Sequence, residues 1–154
     1  MTEPIRVFLD STVHLFAYRS AKTNSSLVLA GMDGVLFQPV VSYKTLAEIQ
    51  KRTRDLYGKD IAGLVRWNLL MLPKLIIVTT KEIAPLLSQY DEYVRDKADL
   101  PHICAYFAAN CRYFVTSNRR LTKMDIGQFV NFTSPREFVE ETLRARPYDT
   151  PGGI

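Results

Sequence analysis

Cysteine and histidine are scarce, with two of each among 154 residues. There is no Cys-x-x-Cys and no closely spaced histidine pair, so the common zinc-cage spacings are excluded. Cys104 and Cys111 fall in one stretch expected to be helical. Seven residues of helix separate them by about 10 Å along the axis, beyond the reach of a disulfide. Buried, reduced thiols are the expectation for both. Long apolar runs are missing too. The most apolar window, residues 64–78, is broken by Arg66, Pro73 and Lys74 and cannot span a bilayer. Met1-Thr2-Glu3-Pro4 has neither a basic region nor an apolar run. No secretory signal is therefore visible, and a cytoplasmic protein is expected. The chain has no internal repeat, no low-complexity segment, no P-loop, no GxGxxG loop and no nucleophile elbow.

What is present describes a folded domain. Apolar residues make up 47% and charged residues 23%, which suits a globular chain with one core rather than a disordered one. The expected layout is a single domain over residues 1–146 and a loose tail over 147–154, where Pro151-Gly152-Gly153 stands. A net charge of +4 favours a polyanionic partner without proving one.

Apolar strand-like runs alternate with helical patterns. Strands are expected at residues 7–9, 35–41, 75–78 and 113–116, with a short fifth at 129–132. Ser11 or Thr12 can cap a short helix over 14–18, and another is expected over 25–32, stopping near Asp33-Gly34. Ser42 caps a helix from 43 to about 56, stopped by Gly58, and Asp60 caps one over 61–72. The stretch 81–95 is ambiguous, with Pro85 suited to the first turn of a helix reaching Tyr93. Helices follow over 100–110 and, after the Ser134-Pro135 start signal, to about 144. This alternation implies an α/β fold with a mostly parallel sheet covered on both faces. In such folds the working site lies beyond the carboxyl ends of the strands.

Carboxylates collect at that edge. Asp10 ends the first apolar run and Glu48 borders the buried stripe of its helix, which Leu46, Ile49, Thr53 and Leu56 define. Asp96 and Asp99 precede the next helix, and Ser117 and Asn118 follow the fourth strand as neutral oxygen donors. Crowded acids repel one another unless a cation neutralises them. An open, oxygen-lined site selects Mg²⁺ or Mn²⁺, ions suited to phosphoryl chemistry. Arg119 and Arg120 beside the fourth strand, and Arg52 on the Glu48 helix, can line a groove for a phosphate backbone. His14 and His102 have no partner at an interpretable spacing and are expected to be packing or surface residues. A receiver domain would need an acceptor acid after strand three, where Thr79-Thr80 stands; a haloacid-dehalogenase-type phosphatase would need Asp at Thr12.

Five ordered segments resemble a PIN-domain nuclease: Val7-Phe8-Leu9-Asp10-Ser11-Thr12-Val13, Thr45-Leu46-Ala47-Glu48-Ile49, residues 96–103 from Asp96 to Ile103, Phe114-Val115-Thr116-Ser117-Asn118, and residues 133–138 around Ser134-Pro135. The resemblance implies a three-layer α/β/α sandwich with a central, mostly parallel sheet of four to five strands. It implies metal-dependent cleavage of RNA, and many members are toxins of VapC-type toxin–antitoxin pairs. Matched by motif, Asp10, Glu48 and Asp99 are the first three acids, and Asp96 is an additional acid seen in some members. The fourth position, often Asp, is Asn118; the position two after the first acid, often Asn, is Thr12. The expected function is thus a Mg²⁺- or Mn²⁺-dependent endoribonuclease in which Asp10, Glu48, Asp99 and Asn118 act. Asp10, Glu48, Asp99 and Asp96 would hold the metal, and Ser117, Arg119, Arg120 and Arg52 the substrate. Expected partners are RNA, a cognate antitoxin and a second copy of the chain. The missing fourth charge leaves a rival, a PIN-like RNA-binding or assembly module with residual acids.

Overall fold

The computed structural model of the chain describes residues 3–154. Met1 and Thr2, which belong to the leader reading above, lie outside the described residues. Five parallel strands form one sheet: β1 (Ile5–Leu9), β2 (Phe37–Ser42), β3 (Ile76–Val78), β4 (Tyr113–Val115) and β5 (Phe132–Thr133), in the order β3-β2-β1-β4-β5. Helices α1 (Ser11–Arg19), α2 (Asn24–Ala30), α3 (Tyr43–Tyr57), α4 (Lys59–Leu70), α5 (Thr80–Tyr90), α6 (Leu100–Ala108), α7 (Arg119–Thr122) and α8 (Pro135–Glu141) connect and cover it. The architecture is the expected α/β/α sandwich, and every strand pairing in it is parallel. Among the described residues, no helix is long and apolar enough to cross a membrane.

The two-residue period of the strands builds two cores. Val7 and Leu9 of β1 join Val13, Val28, Ile49, Leu69 and Phe138, from α1, α2, α3, α4 and α8. Phe8, pointing the other way, packs with Phe114 of β4, Ile83 of α5 and Ile103 of α6. Its ring lies 4.7 Å from that of Phe114. A one-residue slip of β1 would exchange these faces, so the register Val7↔Tyr113, Phe8↔Phe114 is held by both cores.

β1 is central, with β2 on one side and β4 on the other. The chain first builds outward through β2 and β3 and then returns to build through β4 and β5. The reversal falls between β1 and β4, and in open α/β sheets ligands settle beyond the carboxyl ends of the strands at such a point. Asp10 and Thr116 follow those two strand ends directly.

Several boundaries differ from expectation. β2 begins at Phe37 rather than at 35: Asp33 Oδ1 accepts from the Val35 amide, and this turn holds Val35 and Leu36 in the loop, exposed. β5 is Phe132–Thr133 rather than 129–132, because the amides of Phe129 and Val130 both close on the Ile126 carbonyl after a 3₁₀ turn at Asp125–Gln128. The second helix runs Asn24–Ala30 rather than 25–32, under a Thr23 cap. Gly58, at φ +93, ends α3 and starts α4 without help from Asp60. α5 starts under a Thr79 cap, so Pro85 sits inside it, its missing N–H opposite the exposed Lys81 turn. It stops at Tyr90, and a 3₁₀ turn carries on to Tyr93. The last helix ends at Glu141, and Leu56 lies outside the inward stripe of α3, largely exposed.

Cys111 lies beyond the end of α6, after Asn110 at φ +52. Both cysteines are buried and unpaired with each other; burial pushes the Cys104 thiol to about 11 and the Cys111 thiol to about 12.

The tail is docked, not loose. Asn24, fully buried at the start of α2, accepts from the Tyr148 amide (2.7 Å) and donates to the Tyr148 carbonyl (3.0 Å) and the Gly153 carbonyl (3.3 Å). Its backbone N–H donates to the main-chain oxygen of Ile154 (2.9 Å), and Arg136 pairs with Asp149 (3.0 Å). Proline and glycine in 147–154 suggested a chain without partners; the main partner is the buried Asn24 amide, far away in sequence, with Arg136 beside it.

Candidate functional site

Asp10 is almost fully buried at the end of β1. Its backbone N–H continues the sheet by donating to the Val115 carbonyl (3.0 Å). Its side chain caps α1: Oδ1 accepts from the Ser11 amide (2.8 Å), while Oδ2 accepts from the hydroxyls of Thr12 (3.1 Å) and Thr116 (2.7 Å). The strand-end acid is therefore also the helix cap, in place of the expected Ser11 or Thr12. Thr116 accepts in turn from the Asn118 amide (3.0 Å), and the Ser117 amide donates to Thr12 (3.3 Å). These bonds lock the exits of β1 and β4 together around one carboxylate.

Glu48 projects from α3 and is half-buried. His102 Nε2 lies 3.2 Å from Glu48 Oε1, and His102 Nδ1 lies 3.1 Å from the Thr45 hydroxyl. Both ring nitrogens are thus engaged, Nε2 by the Glu48 carboxylate and Nδ1 by the Thr45 hydroxyl. Thr45 itself belongs to the capping box that Ser42 forms at the start of α3. Burial pushes the Glu48 carboxyl up, but the hydrogen bond and charge of His102, a hydrogen bond from Ser11 and the nearby Lys44 outweigh it, and the net shift is down.

His102 was expected to be a packing or surface residue. It is buried, yet it is the acid's partner. No local spacing marks the pair, because it joins α6 to α3 across 54 residues of sequence. Thr116 is the second missed residue; it stands in the Phe114–Asn118 segment that carries the resemblance, but no role was expected of it.

Asp99 occupies the N-cap position of α6, but its side chain makes no capping hydrogen bond. Burial raises its pKa, the neighbouring Asp96 raises it further and Asp10 adds to this, against the lowering effect of Arg120 and His102. That mutual repulsion is what carboxylates facing one site produce. Arg120 Nη2 lies 3.3 Å from Asp96 and 3.5 Å from Asp99. Asp96 Oδ1 also accepts from the Ala98 amide (2.9 Å). Asn118 Oδ1 caps α7 by accepting from the Arg120 amide (3.1 Å). Ser117 Oγ is buried with no hydrogen-bond partner among the described residues.

The other expected substrate residues do not share one surface. A cleft of about 550 Å³ lies beside Asp96, Asp99 and Arg120. Arg119 instead lines a separate cleft of about 460 Å³ with Ser117, Arg136 and the glycines of the tail. Arg52 is exposed on α3 one helical turn beyond Glu48, roughly 6 Å along the axis.

The donor chemistry along this edge suits a hard divalent cation, since the groups are carboxylate and hydroxyl oxygens. A ready-made cage is not there. Among the described residues, no three of the acids, histidines and cysteines stand together as a metal-holding group. Hydroxyls and an amide hold Asp10, His102 holds Glu48 and Arg120 holds Asp99. Such an arrangement does not fit a tightly held structural ion. The donors present would serve an ion shared between one or two carboxylates and a substrate phosphate, the usual mode of Mg²⁺.

No protein-family model matches the chain, and no curated protein matches it by sequence. Solved structures match it by fold. VapBC-1 from nontypeable Haemophilus influenzae aligns with a TM-score of 0.65 at 12% identity, over 85% of this chain and 98% of that one. VapBC2 from Rickettsia felis, solved bound to a DNA fragment from their promoter, gives 0.58 at 15% identity, over 84% and 98%. A toxin–antitoxin complex from Klebsiella pneumoniae gives 0.59 at 14% identity, over 84% and 97%. The chain therefore has the PIN-domain fold of the VapC type. At these identities the likeness carries architecture, and the chemistry has to be argued from the residues.

Proposed function

We propose that the chain is a divalent-metal-dependent endoribonuclease of the PIN class. One observation carries this reading: a buried carboxylate, Asp10, is fixed by three hydrogen bonds at the strand end where the sheet reverses its order, with Asp99 close enough to feel its charge. Asp10, Glu48 and Asp99, with Asp96 beside them, are the residues that would hold Mg²⁺ or Mn²⁺ together with a substrate phosphate. When bound, such an ion neutralises phosphate charge and activates water.

The chain's own groups have separate tasks. Thr116, Thr12 and the Ser11 amide fix the direction of the Asp10 oxygens. His102 keeps Glu48 ionised and in place. Asp99, whose carboxyl is raised by burial and by the neighbouring Asp96, is relieved of that strain by a cation beside it. Arg120 neutralises Asp96 and Asp99 in the absence of substrate, and Ser117 offers an unused hydroxyl.

Asp10→Asn keeps an acceptor for the Ser11 amide, and the two threonine hydroxyls can turn to accept from the new amide. The variant should stay folded by circular dichroism and lose Mn²⁺-dependent cleavage of RNA by at least 100-fold, the scale on which a removed charge-stabilising group acts. Cleavage at the wild-type rate would defeat the assignment.

A second reading, an RNA-binding or assembly module with residual acids, is favoured by Asn118 at the fourth position and by the absence of a three-donor cage. Retained RNA binding with no cleavage under any divalent ion would select it.

The solved structures that share this fold include a toxin–antitoxin complex. With the exposed apolar face of α4, that supports a protein partner, and we assign the chain the role of toxin in such a pair. A small protein encoded beside it should inhibit its cleavage when the two are mixed.

A further inference from the structure

The cleft beside Asp99 has the contents of a nucleobase subsite. It measures about 550 Å³, within the ordinary range for small-ligand pockets, and shares Asp96, Asp99 and Arg120 with the acidic site. A group lodged there lies against two of the proposed metal-holding acids, Asp96 and Asp99. Tyr93 forms part of its lining. That ring is half-buried, packs against the core formed by α5, α6 and β4, and is held edge-on by Phe129 at 5.5 Å and 74°. An aromatic ring fixed in this way stacks on a base with little further loss of freedom. Met124 adds apolar surface to the lining and is itself packed on the core.

Charge decides what kind of ligand fits. The lining carries four carboxylates against three cations. A free anion such as inorganic phosphate would meet net repulsion. A neutral base would not, and its N–H groups would find acceptors in Asp125 and Glu92. Arg120 is taken up by Asp96 and Asp99, whereas Lys123 makes no ion pair among the described residues and is free for the adjoining phosphate.

We propose that this cleft receives one unstacked nucleobase of single-stranded RNA, with the Tyr93 ring as its stacking platform and Lys123 on the neighbouring phosphate. The proposal rests on the ribonuclease reading for its biological meaning, but its binding claim is separable. A base inside an A-form duplex is paired and stacked and cannot enter, so the subsite selects single strands.

The test uses fluorescence anisotropy in EDTA, where cleavage does not interfere. The probes are a short fluorescein-labelled oligoribonucleotide and the same strand annealed to its complement. Tyr93→Leu keeps apolar bulk against the core and removes the stacking face. It should weaken single-strand binding about tenfold, in line with the worth of one base–aromatic stack, and leave duplex binding within twofold. Tyr93→Phe should bind the single strand like wild type. Lys123→Ala should lower the salt dependence of single-strand binding by about one phosphate contact. The proposal is overturned if Tyr93→Leu binds the single strand like wild type, if it loses both probes equally, or if the wild-type chain does not bind the single strand. Should the Tyr93 effect appear while Mn²⁺ supports no cleavage, the ribonuclease reading fails and the subsite stands. Should cleavage depend on Asp10 while Tyr93→Leu binds normally, the subsite fails and the ribonuclease stands.

Discussion

His14 is fully buried on α1, and neither ring nitrogen has a hydrogen-bond partner among the described residues. Burial pushes its pKa down from 6.5 to about 4. The sign of the consequence follows from linkage. As pH falls below 6.5 the unfolded chain takes up a proton that the folded chain refuses, so stability drops until about pH 4. Between pH 7 and pH 5 the loss should be about 2 kcal/mol. The depressed Glu48 carboxyl adds its loss only at lower pH, below the ordinary carboxylate value of 4.5. His14→Leu should remove most of the slope between pH 7 and 5 in urea unfolding curves; an unchanged slope would place its origin elsewhere. Residues of this kind explain what was legible in the sequence and what was not. Asp10 could be found because a strand end and a helix start coincide there. His102 required seeing that a residue on α6 faces an acid on α3, an encounter between elements 54 residues apart that no local pattern encodes.

At the scale of elements, hydrophobic periodicity located four of the five strands to within two residues, because a doubly covered sheet writes unbroken apolar runs. It failed where local turn chemistry took over, at Asp33 before β2 and at the 3₁₀ turn before β5. The tail was the larger miss, since its anchor is the Asn24 amide. Removing that amide with Asn24→Ala leaves the Tyr148 amide and the Gly153 carbonyl without their side-chain partner. The cost should be about 2–3 kcal/mol, spent mostly on local release of the tail. Hydrogen exchange is the direct measurement: the Tyr148 amide should exchange much faster in the variant, while amides of β1 keep their protection. Equal protection of Tyr148 in both proteins would show that the clasp holds nothing.

For the molecule as a whole, the unbalanced feature is α4. Its inner face, Ala62, Val65 and Leu69, is buried in the core. Its outer face is apolar as well: Ile61, Leu64, Trp67, Leu70 and Met71 are all exposed, with Leu56 and Tyr57 of α3 at its start. A helix that covers a sheet ordinarily turns charge to the solvent, and a contiguous apolar patch marks a contact with another protein. With no second protein present, the same face on another copy of the chain is the available partner, and two equal helix faces meet naturally about a two-fold axis. The chain alone should therefore dimerise with concentration. Trp67, the one tryptophan in the chain, should report it through a blue shift of its emission. Leu64→Glu puts a charge at the centre of that face without touching the acidic crevice. It should stay monomeric in sedimentation at every concentration and keep wild-type binding of single-stranded RNA. A wild-type chain that sediments as a monomer throughout would leave the face to a different protein.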